Sequence, residues 1–234
     1  MQHLKNFVQR LGLLNRATGV YLITSLSGLV DAACFIGLGH VFAEMMTGNL
    51  LMLGFSLGVH GLTSSIDRYF LVIGFYVVGV VVGSRMLKNK TLWKQERFGF
   101  LVEWALLFAG TIFAFTMHPD AANLAGRVLL ALLAISMGIL NALIRVHGLP
   151  DMATNALTGT FTALVADSSP AAGTNHNWVR RLSSIVIFLS SAAVGAALTT
   201  YGIQWTLALA CVVLAVALIP LLFGQDVSQT ELQK

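Results

Sequence analysis

The chain has 234 residues, 56% of them hydrophobic and only 10% charged, and its mean hydropathy is +0.79. That balance excludes an ordinary soluble domain. The net charge of +4 resides in basic residues that flank apolar runs and form no patch with interleaved aromatics, which argues against nucleic acid as a partner. An integral membrane protein surrounded by lipid bilayer is expected, because apolar stretches recur at about the ~20-residue length that a helix needs to cross the hydrocarbon core.

Residues 1–16 carry Lys5, Arg10 and Arg16 opposite Leu4, Phe7, Val8, Leu11 and Leu14, the pattern of an amphipathic helix lying along the membrane surface. The apolar run that follows is longer than the core of a signal peptide, so the first span is expected to be retained. It covers about residues 17–38 and carries Asp31 and Cys34. Residues 42–60 form a shorter apolar segment interrupted by Glu44, Thr47, Gly48 and Asn49, and spans follow at about 68–87 and 98–117. The same order then returns: a span at 123–145, a short segment at 150–167 holding Asp151, Thr158, Gly159 and Thr160, spans at 180–201 and 204–223, and a polar tail over 224–234.

This return is a repeat. Gly28, Asp31 and Ala32 match Gly138, Asn141 and Ala142 at an offset of 110, while Gly37, Thr47 and Gly48 match Gly148, Thr158 and Gly159 at 111. The small residues Gly79 and Gly83 of the first half answer Ser191, Gly195 and Thr199 of the second. The chain therefore divides into a first membrane repeat over 17–117 and a second over 118–223.

Whether the two short segments cross decides the topology, and basic residues favour cytoplasmic flanks. With six spans and a cytoplasmic N-terminus, 12 of the 14 Lys and Arg fall inside, whereas eight spans leave 8 inside and 6 outside. The expected fold is an all-α polytopic membrane protein with six transmembrane helices and two short re-entrant half-helices. An odd number of spans per half inverts the second copy, giving an inverted-topology repeat with both termini cytoplasmic, and repeats of this kind bind solutes near the midplane between their halves. The two Thr-Gly turns are then expected to approach each other.

The residues Gly28-Leu29-x-Asp31-Ala32 followed by Thr47-Gly48-Asn49, and Gly138-Ile139-x-Asn141-Ala142 followed by Thr158-Gly159-Thr160, resemble the YoaK-like family of bacterial membrane proteins over nearly the whole chain. What the resemblance implies is an inner-membrane location in a bacterium; it implies no particular activity.

A carboxylate within a span costs roughly 3 kcal/mol or more unless it faces protein or water, so Asp31 is either a proton or cation site or a packing group bonded between helices. Thr47, Gly48 and Asn49, with Thr158, Gly159 and Thr160, suit helix starts at membrane depth, where free N–H groups and the positive dipole end favour an anion or a carbonyl; the alternative is that the two hairpins only pack the bundle. Asn141 is the counterpart of Asp31. Glu44 and Asp151 lead into the turns and line entrances or simply face the surface, and Glu103 is read as reaching toward the cytoplasmic end of its helix. Neither cysteine pair spacing nor histidine spacing suggests a metal, no cofactor motif is present, and the absence of GxxxxGK[ST], HExxH and GxSxG argues against an enzyme. The expected function is transport or channelling of a small solute or ion; a structural or regulatory membrane protein is the second reading and an intramembrane enzyme the third. Small residues at Gly54, Gly58, Gly79, Gly83 and Gly195 suit close packing within one chain and leave a homo-oligomer open.

Overall fold

The computed structural model describes residues 16–59, 66–87, 92–147, 157–171, 173–175 and 177–223. All but Arg16 of the expected surface helix over residues 1–16, together with Asp151 and the tail over 224–234, lie outside them. Eight α-helices are formed by the described residues: α1 Arg16–Gly37, α2 Met46–Gly58, α3 Ile66–Met86, α4 Leu92–Met117, α5 Leu124–His147, α6 Leu157–Ala166, α7 Trp178–Thr199 and α8 Ile203–Phe223. Six of them are long and apolar enough to cross a membrane, and α2 and α6 are not. At 1.5 Å per residue the 13 residues of α2 and the 10 of α6 reach about 20 and 15 Å, against roughly 30 Å of hydrocarbon. The protein is an all-helical, multi-pass membrane protein.

Side-chain contacts at the helix ends fix which ends share a face. At one face the Tyr69 hydroxyl at the start of α3 donates to the carbonyl of His40, just past α1, at 3.4 Å. Asp67 pairs there with Arg127 of α5 at 2.9 Å, and Gly37 lies against Ile203 at the start of α8. At the other face the Tyr21 hydroxyl of α1 meets the Arg180 carbonyl of α7 at 3.5 Å, Gly19 lies against Pro220 and Leu221 at the end of α8, and Gly99 of α4 lies against Leu143 near the end of α5. Helices α1, α4 and α7 thus run one way and α3, α5 and α8 the other. Since α1 ends on the face where α3 begins, the intervening segment with α2 dips in and returns.

Packing partners are unchanged when α1 is exchanged with α5, α2 with α6, α3 with α7 and α4 with α8. Helix α3 packs on α5 as α7 packs on α1; α5 packs on α4 as α1 packs on α8; α2 lies on α3 as α6 lies on α7; and α4 meets α8. The closest approaches obey the same exchange. Gly138 sits against the Tyr76 carbonyl and Gly79, while Gly28 sits against Ser191 and the Phe188 carbonyl. Gly83 touches Ile139 and Ala142, and Gly195 touches Leu29 and Ala32. In each case a Cβ would meet backbone or side-chain atoms at 3.2 Å or less, so small residues set how near these helices come.

The Thr-Gly turns do not play that part. Gly48 stands against Phe42 and Met45 of its own segment, α6 packs on α7, and among the described residues α2 and α6 share no extensive interface. Among the described residues the expected approach of the two turns is not seen, and close contact between the halves is made by full-length helices whose small residues meet the neighbouring backbone.

Candidate functional site

Between α1 and α2 the chain must turn back inside the bilayer, where water is not at hand to satisfy the backbone. Asp31 supplies the missing acceptors: its two carboxylate oxygens take the backbone N–H groups of Glu44 at 2.8 Å and Met45 at 3.1 Å, and the Ala43 N–H also faces it. Asp31 lies six residues before the end of α1, which puts the start of α2 about 9 Å below that end. Asn49 fastens the other side of the turn, accepting from the Phe42 N–H at 2.9 Å and donating to the Phe42 carbonyl at 2.7 Å. Nearby, Gly39 adopts a φ of +94° against the Arg68 guanidinium, where a Cβ has neither the backbone freedom nor the space.

Local capping was expected from Thr47 and Asn49; Asn49 does bond the turn's backbone at Phe42, but the N–H groups of Glu44 and Met45 are held from outside the turn. Met45 occupies the N-cap of α2 and makes no side-chain cap bond. The cap comes instead from Asp31 on another helix, because a carboxylate with two oxygens can hold adjacent N–H groups that no residue within the tight turn is aligned to reach.

Pinning this turn drives Glu44 into the bundle. Its residue is 6% exposed, with Asp31, Ser27 and Asn141 beside its carboxyl, and Tyr76 of α3 lies near both Glu44 and Asn141. Neither carboxyl oxygen of Glu44 has a hydrogen-bond partner. The Ser27 hydroxyl also donates to the Ile23 carbonyl at 3.0 Å, and its oxygen can accept a hydrogen bond from Glu44 as a carboxylic acid. Described Lys and Arg side chains take no part in this cluster.

Of the residues singled out from sequence, Asp31, Glu44 and Asn141 are brought together, with Asn49 bonded in the same turn. Thr47 is exposed, Gly48 is half-buried, Thr158 and Gly159 are exposed, and Thr160 is buried on α6. Glu44 lines no entrance in this conformation and is a core residue. Glu103 likewise departs from expectation: it is fully buried on the inner face of α4 and accepts from the Ser136 hydroxyl of α5 at 3.1 Å. For Glu44 the sequence carried a signal, since no Lys or Arg lies between Arg16 and Arg68; for Glu103, with Arg97 shortly before it, it carried none. In the second half, Arg181 of α7 donates to the Ala163 carbonyl at 2.8 Å and pairs with Asp167 at 2.6 Å, placing a cation on the C-terminal end of α6 where the helix dipole favours it.

Among the described residues no group of three or more His, Cys, Asp or Glu side chains is arranged to hold a metal ion. Cys34 and Cys211 are both free thiols, buried on α1 and α8.

Comparison with known proteins agrees with a membrane protein. The family described as "Protein of unknown function (DUF1275)" matches residues 19–220. The chain is 31% identical over 157 residues to the UPF0700 transmembrane protein YoaK of Bacillus subtilis (strain 168), covering 66% of this chain and 68% of that protein. No solved structure matches. By the family match over most of its length and by this relative, the chain belongs to the YoaK-like DUF1275 family of membrane proteins.

Proposed function

We propose that this protein is a non-enzymatic carrier or channel that moves a small solute or ion across a bacterial inner membrane, through a site formed between two inverted halves. The observation that carries the reading is the Glu44 carboxyl, buried inside a membrane bundle with no hydrogen-bond partner on either oxygen. A group of that kind costs several kcal/mol when charged, and intramembrane ionisable residues mark ion and substrate pathways. Inversion is supported by the opposite directions of α1 and α5, α3 and α7, and α4 and α8, and by packing partners that survive exchange of the halves.

In this reading Asp31 and Asn49 hold the re-entrant turn, Glu44 and Asn141 face the moving species, and Gly48, Thr160 and their neighbours keep the half-helices in place. Thr47, Thr158 and Gly159 would meet the solute only as the halves part. Cytoplasmic termini are part of this reading, supported by the Lys and Arg that flank the spans.

Transport is tested by comparing solute pools of cells with and without the protein, then by flux into liposomes holding the purified chain, using a panel of inorganic anions, monocarboxylates, amino acids and alkali cations. A protein-dependent flux lost in Glu44→Gln is expected. Unchanged pools together with no flux of any panel member would sink the reading and leave a bundle whose polar turn is structural.

A further inference from the structure

Glu103 is the buried carboxyl that the Asp31 turn leaves unused. Its residue is wholly inaccessible, its Oε1 accepts from Ser136, and its Oε2 has no partner. Ser136 lies 12 residues after the start of α5 and 11 before its end, so the pair stands near mid-membrane. Helix α4 packs on α3, α5 and α8. The titratable groups that bear on Glu103 are Glu44, whose carboxyl lies beside Asn141 of α5, the helix that carries Ser136, and the Cys211 thiol of α8; no described cation is among them.

We infer that Glu103 with Ser136 is a second proton-binding site, electrostatically linked to Glu44, and that the ion coupled to solute movement is therefore the proton. This rests on the transport reading for its purpose, although proton binding itself does not. A metal cation is the other ligand a carboxyl could take, and the donor set is too small for one. Two carboxyl oxygens and one hydroxyl fall well short of the roughly six oxygens that hard cations collect. A proton needs one oxygen, and Oε2 is the oxygen without a bond. The Ser136 hydroxyl then orients the carboxyl from Oε1. Glu44 and Glu103 are like charges when both are ionised, so in a low-dielectric interior a proton on one favours its loss from the other.

Infrared spectroscopy of the purified chain in lipid, titrated with pH in H2O and D2O, reads the protonated carboxyl stretch directly and does not depend on knowing the solute. The wild type should show a pH-dependent, deuterium-sensitive carboxylic acid band. Glu103→Gln should remove one component of it, Ser136→Ala should keep that component at an altered frequency, and Glu44→Gln should move its pH midpoint. If Glu103→Gln leaves every component in place, or if sodium or potassium abolishes the band at fixed pH, the inference is overturned. Folding of each variant is checked by its elution as a single species. Panel flux into liposomes separates the two readings: flux without a Glu103 component refutes the proton site and spares transport, and a Glu103 component without any flux refutes transport and proton coupling while the site itself stands.

Discussion

Asp31 of α1 holds the backbone of Glu44 and Met45 at 2.8 and 3.1 Å, so a carboxylate from one helix caps the start of another. The arrangement joins sequence to topology: without an acceptor at this depth, the chain between α1 and α2 would leave N–H groups unsatisfied in the bilayer.

Removing that acceptor should destabilise the protein. Hydrogen bonds to charged groups are worth about 1.5–3 kcal/mol each, so Asp31→Ala is expected to cost on the order of 3 kcal/mol. Asp31→Asn, which keeps one acceptor oxygen, should cost less. Unfolding of the purified variants in detergent checks this, and a larger loss in Asp31→Asn than in Asp31→Ala would contradict the cap.

Helix contacts make a second expectation sharp. A Cβ on Gly79 would stand 2.3 Å from the Ile135 carbonyl, whereas nothing lies within 4 Å of one on Gly58. Overpacking of this kind costs about 1–3 kcal/mol or more, so Gly79→Leu should lose most folded, monodisperse protein and Gly58→Leu almost none. Equal yields from the two variants would remove the close α3–α5 approach from the account.

Which ends share a face is open to labelling. Cysteines introduced at the exposed positions Ala122 and Thr200 should react with a membrane-impermeant reagent from one side, and those at Arg85 and Ser169 from the other. The native Cys34 and Cys211 are buried and should stay silent. Labelling of Ala122→Cys and Ser169→Cys from the same side would contradict six crossings.

Much of this was legible in the sequence because lipid imposes simple demands. Apolar length located all six spans to within about two residues, and the Lys and Arg count chose two re-entrant segments over two further crossings. Of the positions the repeat matched, Asp31 and Asn141 are both buried, and Gly83 and Gly195 both stand at close helix contacts. What stayed hidden was rotation about helix axes and the reach of side chains across the fold. Glu103 looked near a helix end because the apolar run begins at residue 98, yet α4 starts at Leu92 and turns that carboxyl inward. Glu44 looked like a surface residue because the bond that buries it is made by Asp31, thirteen positions away.

Glu44→Gln tests whether the core of the site is built for stability or for function. Gln has nearly the same shape as Glu, carries no charge, and can offer two N–H donors to the Ser27 oxygen. A carboxyl that served the fold would be missed, and its replacement should then destabilise by the 1–3 kcal/mol typical of a lost buried partner. The structure gives the opposite expectation, because both Glu44 oxygens lack partners and no described cation compensates a charge there. The variant should unfold at the same temperature as the wild type or higher, while losing protein-dependent flux and its response to pH, the exchange of activity for stability seen where a site is held in an unfavourable state. Thermal unfolding and liposome flux, measured on one preparation across a pH series, decide between these. A Glu44→Gln protein that is clearly less stable yet carries solute with an unchanged pH profile would make Glu44 a packing residue.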